Sequence, residues 1–207
     1  MKKNIPTISR FLLLLAALGF AQQGSSAGRA GEILEKLAAG FHSMGAYGVA
    51  FEVRSDEYAV KGSYGVDGER YYIVLGDAEV YCDGRLRYEI DNRRREVTID
   101  DVDLTSRNIL NNPAHAFDFI GSEYTSSLAG EEGGRAVVRM VPASKEASPA
   151  GEILVTVDTA TMQPQSLRYD YDGEQVHISV LGIEPLASPL KTFDKKHYDD
   201  YEFIDFR

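Results

Sequence analysis

The sequence predicts a mostly β domain with some helix: a curved antiparallel sheet, an unclosed β-barrel, with helices covering its concave face as a lid. Three observations predict it. From residue 49 onward, short runs alternate apolar and polar side chains and are punctuated by Gly-containing turns. Two other segments, 31–44 and 113–128, carry apolar residues at helical spacing instead. The connections between consecutive strand runs are mostly short, which favours an antiparallel meander in chain order.

The chain opens with Lys2, Lys3 and Arg10, then the apolar run Phe11–Phe20, then small residues ending at Ser25-Ser26-Ala27. A basic start, a short apolar core and small residues at −3 and −1 read as a secretory signal peptide. The run is about half of the ~20 residues that span a bilayer, which argues against a membrane anchor. Cleavage after Ala27 or after Ala21 fits the pattern, and the division taken is 1–27 signal peptide and 28–207 a single domain. No cysteine lies near either cut, so a lipid anchor on a new N-terminal Cys is not expected. Removing residues 1–27 takes away three basic and no acidic residues, so the net charge moves from −10 to −13. That excludes a nucleic-acid binder, which needs Lys and Arg against phosphate, and argues against a basic membrane-surface protein.

Within the domain, Ile33, Leu34, Leu37, Phe41 and Met44 form one helical stripe over 31–44. Alternation follows at Val49/Phe51/Val53, Tyr58/Val60, Tyr64/Val66, Leu86/Tyr88/Ile90 and Val97/Ile99, with turns at Asp67-Gly68, Gly76-Asp77 and Asp83-Gly84. The stretch YYIVL, 71–75, is apolar on both faces, so part of the sheet is predicted to be covered twice. Asn112-Pro113 then reads as a helix start, with Asn as N-cap and Pro at the first helical position. Phe117, Ile120, Tyr124 and Leu128 continue it at helical spacing. Strands resume at Ala136/Val138/Met140, Ile153/Val155/Val157, Leu167/Tyr169/Tyr171 and Val176/Ile178/Val180, with a turn at Asp172-Gly173 and a surface loop over 143–151.

Catalytic signals are weak. The only cysteine, Cys82, precedes Asp83-Gly84, and a neighbouring aspartate disfavours a thiolate. It reads as a small strand residue before a hairpin turn. His42, His115, His177 and His197 lie in separate segments with no metalloprotease spacing. His115 and Asp118 share a helix face, more simply a solvated polar face than a metal site. Asp100, Asp101 and Asp103 lack the glycine and glutamate of a calcium loop and read as a turn into the next helix, capped by Asp103. No nucleophile elbow or phosphate loop is present, and the reading is of a non-enzyme without cofactor or metal.

Under the two helices the concave face is either a packed core or an apolar cavity. All twelve tyrosines follow residue 27, and many share strand faces with Val, Ile and Leu. Buried phenols need hydrogen-bond partners, which favours a cavity over a dry core. The predicted wall takes Val49, Phe51 and Val53, then Tyr64, Val66, Tyr71 and Ile73. It continues through Leu86, Tyr88 and Ile90 to Val138, Val155, Leu167 and Tyr169. The predicted lid takes Leu37 and Phe41 from the first helix and Phe117, Ile120, Tyr124 and Leu128 from the second.

In the order and spacing of GSYGVDGERYYI (62–73), EVYCDGRLRYEID (79–91), NPAHAFDFI (112–120) and FIDFR (203–207), the chain resembles the LolA family of periplasmic lipoprotein carriers. The resemblance covers nearly the whole chain after the leader. It implies an unclosed barrel with a helical lid, in the periplasm, whose cavity shields the acyl chains of lipoproteins in transit to the outer membrane. It also implies a monomer that receives cargo from an inner-membrane ABC transporter and passes it to an outer-membrane acceptor. Where better-known members carry an Arg-Pro pair whose arginine latches the lid, this chain has Asp67-Gly68, leaving Arg70 as the candidate latch. Tryptophan, used in the cavity of those members, is absent. Two alternatives remain on the same fold: a carrier of another lipid, and an envelope interaction or stress-sensing module with a filled core.

Overall fold

The computed structural model describes residues 8–56, 58–103, 113–115, 123–143, 151–171 and 173–207, with side chains from Ser26 onward except those of His115 and Tyr171. Helix α1, Ile8–Met44, contains the predicted helix and extends N-terminal to it as far as Ile8. Its buried stripe is Ala30, Ile33, Leu34, Leu37 and Phe41, with Met44 packed beside it. The helix stops at Gly45, whose φ of 66° is the left-handed conformation in which helices commonly end. Among the described residues no helix is long and apolar enough to cross a membrane.

Six strands follow as a meander: β1 Tyr47–Arg54, β2 Ala59–Asp67, β3 Arg70–Leu75, β4 Ala78–Cys82, β5 Leu86–Asp91 and β6 Glu96–Asp101. A 3-10 turn at Pro113–His115 separates them from β7 Tyr124–Glu132, β8 Arg135–Pro142, β9 Ile153–Asp158, β10 Pro164–Tyr171 and β11 Glu174–Pro185. A second 3-10 turn, Lys195–Tyr198, leads to β12 Glu202–Asp205. Among the described residues, all twelve strands form one open sheet in the order β12-β6-β5-β4-β3-β2-β1-β11-β10-β9-β8-β7, the predicted mostly β, unclosed half-barrel. Two pairings depart from the meander: β1 runs antiparallel to β11, and β12 runs parallel to β6.

Two local expectations change. Of the segment read as a helix over 113–128, residues 113–115 form a 3-10 turn, residues 116–122 lie outside the described residues, Glu123 is helical, and strand β7 begins at Tyr124. Tyr124 and Leu128 are strand residues; Phe117, Ile120 and Asp118 lie outside the described residues. A spacing of four satisfies a period of two as well as 3.6, so those two residues share a face in either structure. The decisive signal is Gly133-Gly134, with φ of 59° and 78°, the two-residue hairpin turn joining β7 to β8. Asp100 and Asp101 also end β6 rather than start a turn.

The predicted double coverage of residues 71–75 is present. Tyr71 and Ile73 join the main core beneath α1, while Tyr72 faces the other way. On that opposite face, Tyr72, Tyr81, Tyr88, Ile90, Val97 and Ile99 meet Phe193, Tyr198, Tyr201 and Phe203 from the C-terminal segment. Phe193 stacks on Tyr88 at 4.1 Å between centroids and on Tyr198 at 5.5 Å. The segment reaches this position over Gly48 and Gly65, which pair directly across β1 and β2. Leu186 and Leu190 lie on the flat ground the two glycines leave; a Cβ on Gly65 would stand 2.8 Å from Leu190 Cδ1.

This second core is tied by a polar network. The Glu79 carboxylate accepts from Tyr72 Oη at 2.6 Å, Tyr81 Oη at 3.0 Å and Asn92 Nδ2 at 3.0 Å. Tyr201 Oη donates to Asn92 Oδ1 at 2.8 Å, and the Tyr81 and Tyr198 hydroxyls are 3.1 Å apart. Burial pushes the Glu79 carboxyl up, but the hydrogen bonds from Tyr72, Asn92 and Tyr81, with Lys191 nearby, outweigh it and hold the group below the ordinary carboxylate range. A carboxyl depressed in the folded state adds stability above its unfolded pKa and loses it as pH falls through the folded value. Thermal melts at about pH 7 and about pH 3, either side of the ordinary glutamate value near 4.3, should therefore show a larger fall for the natural protein than for Glu79→Gln. Equal falls would remove Glu79 from the acid sensitivity of the fold.

Candidate functional site: the concave face

Strand pairing carries one apolar face across most of the sheet. Tyr64 sits opposite Val49 on β1 and Ile73 on β3, and Val66 opposite Tyr47 and Tyr71. On the other side of β1, Val53 faces Ile178, which faces Leu167, which faces Val155, which faces Val138. Val138 in turn faces Leu128 on the outer strand β7. Val49, Phe51, Val53, Tyr64, Val66, Tyr71, Ile73, Val138 and Val155 are all buried in one cluster with the α1 stripe; Leu167 and Tyr169 pack against it. Leu37 and Phe41 come down on this face from α1, Phe41 meeting Tyr47 edge-on at 5.1 Å.

Leu86, Tyr88 and Ile90 do not belong to this wall. Tyr88 faces Tyr81 and Ile90 faces Val97, both in the second core, so this side of β5 turns away from α1. Alternation fixes which residues of a strand share a face but not which face of the sheet they take. The residues of β5 that share the face of Tyr71 and Val80 are Arg87, opposite Cys82, and Glu89, opposite Val80. The apolar side of the sheet thus inverts between β3 and β5, and the far end of the concave face is polar.

That polar end was not foreseen. Arg87 pairs with Glu89 on its own strand, and its Nε is buried without a hydrogen bond to any described residue. The register opposite Cys82 was the available signal, because a residue facing a core cysteine across a ladder must share its face. Arg70, the candidate latch, is 50 % exposed and pairs with Asp67 across the β2–β3 turn, on the side away from α1.

Cys82 is the strand residue before a turn, as read. It is buried, its Sγ accepts from Gly84 N–H at 3.3 Å, and burial pushes the thiol above its ordinary pKa. Asp83 closes the turn by accepting from the N–H groups of Arg85 and Leu86. Burial, then neighbouring Tyr47, raises the Tyr64 phenol far above its ordinary value, and burial does the same to Tyr71, so both stay neutral donors. Among the described residues no three His, Cys, Asp or Glu side chains gather where a metal ion could sit.

The geometry defines a class: an open, strongly curved antiparallel sheet whose concave apolar face is roofed by a helix. Among solved structures the chain is similar to an uncharacterized conserved protein from Thermus thermophilus, at 9 % identity and a TM-score of 0.54, covering 86 % of this chain and 99 % of that one. It is also similar to MucB, at 14 % identity and a TM-score of 0.49 over 79 % of this chain and 61 % of that one. A third similar structure is the LolA superfamily protein NE2245 from Nitrosomonas europaea, at 9 % identity and a TM-score of 0.32 over 74 % of this chain and 88 % of that one. The first of these is a likeness of fold. No family model matches the sequence, and no curated protein matches it.

Three substitutions test the construction of the sheet. At Gly62 a Cβ would stand 2.7 Å from both Phe51 Cζ and the Val74 carbonyl oxygen. The ring can turn but the β3 backbone cannot, so Gly62→Ala should destabilise by about 1–3 kcal/mol, the usual cost of overpacking. Gly65→Ala meets only a flexible leucine methyl and should cost less; the reverse order in denaturant melts would refute this packing. Cys82→Ser should leave fold and ligand binding in place, since the Asp83 turn does not use the thiol's chemistry.

Proposed function

We propose that this protein is an exported carrier that shields the acyl chains of lipoproteins, or of another lipid, against its concave face. The observation that carries the reading is the mismatch between the apolar face and its roof. The face runs unbroken from β4 through β1 and β11 to β7. Strands spaced about 4.8 Å apart make this arc roughly 38 Å wide, against about 27 Å for the stretch of α1 that crosses it from Ser26, bonded to β7, to Met44, just past Phe41 beside Tyr47 of β1. A trough wider than the helix above it suits flexible hydrocarbon, and aromatic walls of Phe51, Tyr64 and Tyr169 hold it less firmly than a tight aliphatic slot. Each methylene removed from water contributes about 0.8 kcal/mol, so a two- or three-chain lipid crosses water only with such shielding.

The sequence resemblance to the LolA family supports the same reading and supplies the expected setting: a periplasmic monomer between an inner-membrane ABC transporter and an outer-membrane acceptor. A net charge of −13 after loss of the leader repels anionic headgroups and favours release from a bilayer. The close burial of Phe51, at 3 % exposure, and of its neighbours favours the second reading, an interaction module whose trough is filled by its own side chains.

Phe51→Glu separates the two. In a trough that opens for cargo, water solvates the carboxylate, so uptake of a fluorescent fatty acid should fall at least tenfold while the melting temperature moves by a few degrees. In a filled core the unpaired charge unfolds the domain. A collapsed melt, or a folded natural protein that takes up no fatty acid, overturns the carrier reading.

A further inference from the structure

The part of α1 anchored to the sheet begins one residue before a candidate cleavage point. Ser26 Oγ accepts from the Leu128 N–H at 3.1 Å and donates to the Leu128 carbonyl at 3.2 Å. Leu128 lies on β7, the outermost strand, where the register with β8 shifts between Leu128 and Gly130. One turn on, Arg29 Nη2 reaches Glu131 Oε1 on the same strand at 2.8 Å, and Ala30 and Ile33 are fully buried. Ser26, Arg29 and Ala30 together clasp the helix to the free edge of the sheet.

Two sites that satisfy the small-residue rule lie here: after Ala27, with Ser25 at −3, and after Ala21, with Gly19 at −3. They differ in what they leave behind. A cut after Ala27 removes Ser26 and bares the N–H and carbonyl of Leu128 on an edge strand, the template on which foreign chains add. It also creates an ammonium at Gly28, next to the Arg29 guanidinium and at a helix N-terminus, where the peptide dipoles disfavour positive charge. A cut after Ala21 keeps the clasp whole and places the new amine four residues ahead of Ser26.

We propose that the signal peptide is removed after Ala21, that the mature protein begins at Gln22, and that Ser26 is a working residue of the folded domain rather than part of the leader. The inference rests on the reading of the protein as exported. The test is to express the full chain with its own leader in a bacterial host, purify it from the periplasmic extract, and read its N-terminus by intact mass and sequencing. The expected start is Gln22, free or cyclised to pyroglutamate. A start at Gly28, or at any other residue, overturns the inference while leaving export standing. An uncut chain overturns the export reading itself. In the same exported protein, Ser26→Ala should keep the start at Gln22 and lower the melting temperature by about 2–4 °C, the shift expected from one lost hydrogen-bonding side chain in a domain of this size. An unchanged melt would remove Ser26 from the fold.

Discussion

The antiparallel pairing of β1 with β11 holds the molecule together. All other ladders but one join strands that are consecutive in sequence and close over short connections. The pairing of Tyr47–Arg54 with residues 177–185 instead joins the first strand of the chain to nearly the last long one. It merges a six-stranded meander and a five-stranded one into a single arc, and only a single arc presents enough apolar face to bury α1. The loop it closes is long, but closure entropy grows only with the logarithm of length, so the ladder of eight residue pairs outweighs it. A shift of register between Ala50 and Phe51 accommodates the bend at this seam.

A sheet of this width does not keep one face apolar throughout, because α1, crossing from β7 to β1, is too short to roof all of it. The solution is an inversion. From β7 to β3 the apolar residues face α1; on β5 and β6 they face the other way, against the C-terminal segment. β3 and β4 are buried on both sides, which explains why YYIVL is apolar without alternation and why Glu79, on the face of the second core, needs three donors. The inversion also decides the chemistry of the concave face. Where Leu86, Tyr88 and Ile90 turn away, Arg87 and Glu89 take their place, so one end of the trough is charged.

What the sequence made legible follows from what is local. The stripe of α1, the alternation within the strands and the Gly-containing turns depend on neighbours a few residues away, and among the described residues they stand as read except at Tyr58, which precedes β2 and is exposed. The face that a strand shows depends on register, and register passes from turn to turn. The three residues of β5 were misplaced because alternation was extended across the Asp83-Gly84 turn without counting the pairs Tyr81–Tyr88 and Cys82–Arg87. β7 was misread for a different reason: Tyr124 and Leu128 fit both periods, and Gly133-Gly134 was the tie-breaker. The C-terminal cover was hardest to see. Its aromatic residues have no periodicity of their own and acquire meaning only against Tyr72, Tyr81 and Tyr88, more than a hundred residues earlier in the chain.

That distance has a consequence for the order of assembly. Phe193, Tyr198, Tyr201 and Phe203 complete the second core, yet a ribosome makes them long after the strands they cover. While β7 to β11 are being synthesised, one face of β3–β6 has nothing of its own chain to bury it. The nascent domain therefore stays open on that side until the C-terminal segment has left the exit tunnel. Its second core closes only once the latest-made aromatic residues swing back over the earliest meander.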